Sequence, residues 1–174
     1  DNANLCASQC PIAALPGELL AKVRDDWEIP LTPAADIVLR HFDALLAVAT
    51  NKEVLESPSF QTAIRAVYRY LGEHVGDASA VIESESDAIN PVDLRTRYQQ
   101  TPCIFIGGRL WRPIHVFEAP VSFLDPYRIR VRDHVDAVDR GFGALGRRQS
   151  PDTNDYLLFL SEMAERAGGG PLPA

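Results

Sequence analysis

Two adjacent glycines, Gly107 and Gly108, stand between Ile104-Phe105-Ile106 and Arg109-Leu110-Trp111. A two-residue type I′ turn needs positive φ at both central positions, which glycine accepts without steric penalty. The pair therefore predicts a β-hairpin. Cys103 and Phe105 fall at its inward-alternating positions, and Phe105 and Trp111 are expected to be largely buried. Pro113 ends the second strand, because it has no N–H to give to a ladder. An isolated hairpin is only marginally stable in water, so this one must pack on other elements.

The rest of the chain supplies helices. Thr32 can cap a helix that opens at Pro33, and Ile37, Val38, His41, Leu45, Leu46 and Ala49 recur at helical spacing. Ser57-Pro58 opens another in the same way. Its apolar face is Phe60, Ile64, Val67, Tyr68, Leu71 and Val75, and Gly76 stands where a closing glycine belongs. A short polar connector makes the two an antiparallel αα-hairpin. An amphipathic stretch from Pro16 to Trp27 precedes them, and the polar, acidic residues 77–90 read as a loop. Beyond the hairpin, Tyr127, Ile129 and Val131 alternate with Arg128, Arg130 and Arg132, the period of a short strand. Helical spacing resumes from Asp133 through Val135, Val138, Phe142 and Leu145 and closes at Gly146. Ser150-Pro151-Asp152 starts a last helix carrying Tyr156, Leu157, Leu160 and Met163.

The expected fold class is α+β and mainly α-helical. The divisions are an N-terminal extension (1–14), a helical lobe (15–76), an acidic loop or linker (77–93), the hairpin with C-terminal helices (94–167), and a C-terminal linker (168–174). The hairpin is expected to brace two helical halves against each other.

The 174 residues carry a formal net charge of −7, which argues against broad binding to phosphate backbones. Arg128, Arg130 and Arg132 could still clamp a phosphate or an acidic segment. Asp125, Asp133, Asp136 and Asp139 can instead neutralise them within the chain, and that reading is favoured. Three cysteines (Cys6, Cys10, Cys103) do not suggest a disulfide framework, so a reducing, cytoplasmic setting is expected. No apolar run reaches the length of a membrane span, and no leader segment is recognisable. The opening Asp1-Asn2-Ala3-Asn4 lacks an initiating Met and reads as a cut through a longer chain.

Candidate chemistry is sparse. His41, His74, His115 and His134 form no HExxH and no zinc-finger spacing with the cysteines, so neither metal nor cofactor is expected. His41, on the apolar face of its helix, reads as a hydrogen-bonded core histidine. Cys103 reads as a small buried hydrophobe. A nucleophilic pairing of Cys103 with His115 or His74 is the enzymatic alternative, without a local protease-type signature behind it. Gly141, Gly143 and Gly146 spell GxGxxG at a helix end, the wrong context for a dinucleotide site.

The order of elements carries more. It runs IPLTPAADIVLRHFDALL, AIRAVYRYLGEHV, PCIFIGGRLWRPIHVF, PYRIRV, FGALGRR and SPDTNDYLLFLSEMAER. Over residues 28–166 this resembles the repeat-type module that follows GHKL-type ATPase domains in sacsin and the plant NO VEIN-like proteins. The chain departs from that pattern at Arg147-Arg148, where the family shows an apolar residue. The resemblance implies a non-catalytic interaction or scaffold module of a larger, chaperone-type ATPase protein, contacting protein partners or other domains of the same chain. No catalytic residue carries over from the family. Phe105, Gly107, Gly108 and Trp111, with Arg128, Arg130 and Arg132, are the structural or interaction candidates. Nucleic-acid binding through the three arginines is a further alternative.

Overall fold

The structure is a computed structural model that describes residues 3–9, 33–75, 89–118, 129–130 and 136–166. Helix α1 spans Ala3–Cys6, α2 Ala35–Val48, α3 Lys52–Glu56, α4 Pro58–His74 and α5 Pro91–Tyr98. Strands β1 (Ile104–Ile106) and β2 (Arg109–Trp111) follow, then a 3-10 turn at Pro113–His115 and β3 (Val116–Phe117). Strand β4 (Ile129–Arg130) lies parallel to β3, and helices α6 (Asp136–Ala144) and α7 (Thr153–Arg166) complete the described residues. The fold is α+β and mainly helical, as expected.

Local chemistry sets the helix ends. Helix α2 begins later than Thr32-Pro33 suggested: Ala34 is its N-cap, and its carbonyl accepts the Ile37 and Val38 N–H groups. The Pro33 carbonyl instead accepts the Tyr70 hydroxyl at 3.2 Å. Thr32, like Gly76 and the stretch from Pro16 to Trp27, lies outside the described residues. The polar connector after α2 contains helix α3, capped by the Asn51 side chain accepting the Val54 N–H at 2.8 Å. Likewise, residues 91–93 belong to α5 rather than to a linker. Asn90 accepts the Val92 N–H at 2.9 Å, and Pro91 occupies the first turn, where its missing N–H costs nothing. Just before α5, Ile89 bridges to Val75 at the end of α4.

The hairpin forms where the glycines place it. Ile106 pairs with Arg109 across the turn, and Gly107 and Gly108 take φ of 60° and 81°. Trp111 is buried, as expected. Strict alternation fails at the other end of β1. Trp111 pairs with Ile104, yet its carbonyl also accepts the Cys103 N–H at 3.0 Å. Two residues then oppose one, as in a β-bulge, and consecutive side chains can turn the same way. Cys103 and Ile104 are both fully buried, while Phe105 is only half-buried and packs edge-on against Phe60.

The hairpin does not separate two lobes. One continuous core takes Leu5 from α1, Val38 and Phe42 from α2, most of the α4 face, and Leu94 and Tyr98 from α5. Ile104, Trp111, Val116 and the α6 residues Val138 and Phe142 complete it. Helix α6 seats directly on α4 because Gly141 has no side chain. A Cβ built there would stand 2.1 Å from the Tyr68 carbonyl oxygen. Tyr68 packs between Phe42 and Phe142, with ring centroids 6.0 and 4.9 Å away. Past α6, Gly146 (φ 101°) closes a Schellman motif. In it Arg147 N–H reaches the Phe142 carbonyl and Gly146 N–H that of Gly143.

Helix α7 begins with a reciprocal cap. Asp152 accepts the Asn154 N–H at 2.8 Å, and Asp155 returns by accepting the Asp152 N–H at 2.8 Å. Tyr156 and Phe159 pack on buried Phe117. That keeps Tyr156 on the expected apolar face but corrects it at Leu157 and Leu160, which are 60% and 50% exposed, beside Leu158 at 51%.

Candidate functional site

The seat of the hairpin holds the sequence-selected residues most tightly. Among the described residues no strand neighbours the outward-facing backbone groups of β1, and a sheet edge left bare is a liability. The Tyr68 hydroxyl fills that role. It donates to the Cys103 carbonyl at 2.8 Å and accepts the Phe105 N–H at 2.9 Å. A fully buried phenol on a helix thus substitutes for a third strand. Burial, with Cys103 nearby, pushes its ionisation well above the ordinary tyrosine range, so the hydroxyl stays a donor. Trp111 closes the other side, its indole N–H donating to the Ile106 carbonyl at 3.3 Å while the Arg109 guanidinium lies 4.0 Å above its ring.

Cys103 lies in this seat. Its sulfur belongs to a residue with no exposed surface, and burial pushes the thiol pKa far up. The nucleophilic form is the thiolate, so this position disfavours it. His74 stacks on Tyr70 at 4.1 Å, with Nδ1 2.9 Å from the Tyr70 carbonyl. His115 sits in the 3-10 turn, and His134 and Cys10 lie outside the described residues.

The three candidate arginines come out differently. Arg130 lies in β4, whereas Arg128 and Arg132 lie outside the described residues. Arg148, which the sequence marked only as a departure from a family pattern, is engaged instead. Arg148 bonds Asp155 at 2.9 Å and Asp152 at 2.8 Å, and its guanidinium stands 5.3 Å from the Phe117 ring centroid. Its main chain bridges β3, with Arg148 N–H to the Val116 carbonyl and Glu118 N–H to the Arg148 carbonyl. The capping N–H of Asp155 is the main influence lowering the Asp152 pKa; desolvation opposes it, and the Arg148 charge adds a lesser lowering. This clamp fixes the rotation of α7 and leaves its leucines outward. An Arg-x-x-x-Asp-x-x-Asp spacing ahead of a helix was the available signal.

A second polar cluster ties α5 to α2. The Tyr98 hydroxyl donates to Asp43 at 2.7 Å, and Arg97 pairs with the same carboxylate. Burial, then the Asp43 bond, raises the Tyr98 pKa well above its ordinary range.

One concave feature is a cleft of about 520 Å³ among α1, α2, α3 and α4, with His41 in its wall. His41 is buried, as its place on the apolar face implied, and its Nδ1 lies 2.6 Å from Ser8 Oγ. Burial lowers its pKa, the Asn4 main chain opposing, so the ring is neutral. Among the described residues, no three His, Cys, Asp or Glu side chains converge as metal ligands, and no helix is long and apolar enough to cross a membrane. No protein-family model, curated protein or solved structure matches this chain.

Proposed function

We propose that this chain is a non-catalytic interaction or scaffold module of a larger sacsin/NO VEIN-like, chaperone-type ATPase protein, working through contacts with protein partners or other domains of the same chain. The observation that carries the reading is the outward face of α7. Leu157, Leu158 and Leu160 are each at least half exposed on one helix whose inner face already packs on Phe117. Clustered apolar residues on a stable helix mark surfaces that meet other protein. The hairpin supports the same reading from the other side: its polar backbone edge and its thiol are absorbed into packing on Tyr68. Cysteine-based catalysis has less support, since the Cys103 thiolate is disfavoured by burial. Nucleic-acid binding through Arg128, Arg130 and Arg132 has less support as well, given the net charge of −7.

The test compares hydrogen exchange of α7 in this chain alone and in a longer chain carrying the ATPase domain. Slower exchange around Leu157–Leu160 in the longer chain is expected, and Leu157→Glu with Leu160→Glu should abolish the difference. Equal exchange in both, or ATP turnover by the 174-residue chain itself, would refute the proposal.

A further inference from the structure

A second cleft, beside α5, has no part in the reading above. It measures about 330 Å³, at the lower end of the range of small-molecule pockets. Val92, Arg95, Thr96 and Gln99 recur at intervals of three and four along α5 and its C-cap, so one face of that helix forms a wall. Pro113 and Ile114 of the 3-10 turn, Leu145 and Gly146 just beyond α6, and Arg148 form the rest. Among the described residues, no acidic side chain lines it.

The two arginines in this lining are in unlike states. Arg148 is matched by Asp152 at 2.8 Å and Asp155 at 2.7 Å. Arg95 is exposed to the cleft, and among the described residues it pairs with no carboxylate. Its Nη2 donates to a neutral acceptor, the Gly143 carbonyl, at 3.3 Å. A guanidinium has five N–H groups, so that bond leaves its charge and most of its donors uncommitted. The stem of Arg95 runs beside Gly146, where a Cβ would stand 3.6 Å from Arg95 Cγ and 3.8 Å from Pro113 Cβ. Stem and tip are therefore both placed before a ligand arrives, which lowers the cost of ordering them on binding. Gln99, four residues on, adds amide donors on the same helix face. The Thr96 hydroxyl does not, because its proton goes to the Val92 carbonyl at 2.8 Å.

We propose that this cleft binds a small monocarboxylate with an apolar body, its carboxylate pairing with Arg95 and accepting from the Gln99 amide while the body lies against Val92 and Ile114. The anionic class follows from a placed cation with no acidic neighbour in the described lining. The single charge follows from Arg148, which its two carboxylates already satisfy. A dianion such as a phosphate monoester would bring a second charge with no counterion to meet it. This inference does not rest on the interaction-module reading, and either can fail alone.

Two probes of matched shape test it: phenylacetate and its neutral amide, phenylacetamide. Each is titrated at neutral pH into the 174-residue chain, with affinity and position read by nitrogen NMR of the backbone amides and the arginine Nε–H groups. Phenylacetate should bind about tenfold more tightly than the amide, the factor expected of one charge-assisted hydrogen bond. It should move the Arg95 Nε–H signal together with the Ile114 and Gly146 amides. Phenyl phosphate should bind no more tightly than phenylacetate. Arg95→Met keeps the stem but removes the charge, and should erase the preference for the acid. Val92→Glu, at a position 62% exposed, sets a competing carboxylate three residues from Arg95 and should also remove the preference. If Arg95→Met does not fold, Val92→Glu and the wild-type Arg95 signal decide. Absence of saturable phenylacetate binding would overturn the proposal. So would equal affinity for acid and amide, an unmoved Arg95 signal, tighter binding of phenyl phosphate, or a preference that survives in either folded variant.

Discussion

Gly141→Ala tests the packing on which the fold depends. In an isolated helix the change is favourable by up to about 1 kcal/mol, because glycine costs backbone entropy. Here a Cβ would meet the Tyr68 carbonyl oxygen at 2.1 Å and its carbonyl carbon at 2.8 Å. Carbon–oxygen contacts settle near 3.3 Å, so α6 and α4 must part by about 1 Å. Overpacking of this kind costs about 1–3 kcal/mol. Parting the helices also loosens the Tyr68–Phe142 edge contact, adding about 0.5–1.5 kcal/mol. The clash outweighs the propensity gain, for a net loss of about 2 kcal/mol. In a chain of this length that lowers Tm by about 4–8 °C. Gly143→Ala, two residues on, meets nothing within 4 Å among the described residues. It should therefore leave Tm unchanged or raise it by up to about 4 °C, the propensity effect alone. Thermal melts of the two variants should move apart. A Gly141→Ala protein melting at or above wild type would refute the close-approach argument.

Two further outcomes follow from the buried hydroxyl and thiol. Tyr68→Phe keeps the ring but strips the Cys103 carbonyl and the Phe105 N–H of their shared partner. It should cost about 2–4 kcal/mol in urea unfolding, and hydrogen exchange at Phe105 should accelerate; an unchanged exchange rate there would contradict the anchoring role. Burial raises the pKa of both Cys103 and Tyr68 in the folded chain. Above the ordinary thiol value of 9.0 the unfolded chain loses a proton that the folded chain keeps. Stability then falls with rising pH by about 1.4 kcal/mol per pH unit for each such group. In Cys103→Ala the decline should begin nearer the ordinary tyrosine value of 10.0. A profile identical to that of wild type would show that Cys103 is not the group responsible.

Some of this architecture is legible in local chemistry. Consecutive glycines that need positive φ announce the turn at Gly107-Gly108, and both angles are positive. Helical recurrence of Phe60, Ile64, Val67, Tyr68 and Leu71 announces the buried face of α4. Asn90-Pro91 carries the same kind of opening signal as Ser57-Pro58, yet α5 is short, buries only Leu94 and Tyr98, and so has little periodicity to read. The expected face of α7 was misplaced at Leu157 and Leu160, because periodicity marks apolar positions without showing what lies against them. Ion pairs from Arg148 to Asp152 and Asp155, with the Arg148 main chain held on β3, set the helix's rotation.

Residue type and spacing along the chain were thus enough to settle the α+β class, the turn and the main helical face, since these depend on neighbours a few positions apart. The role of Gly141 as a contact point, the use of Tyr68 as an edge strand, the paired burial of Cys103 and Ile104, and the cleft beside His41 required the folded chain. Each depends on atoms more than thirty positions apart in sequence being brought within a few ångströms, or, for the bulge, on which backbone carbonyl a partner strand presents. Periodicity records which side of an element is apolar. It does not record what will lie against that side, and that is where the packing of this protein is decided.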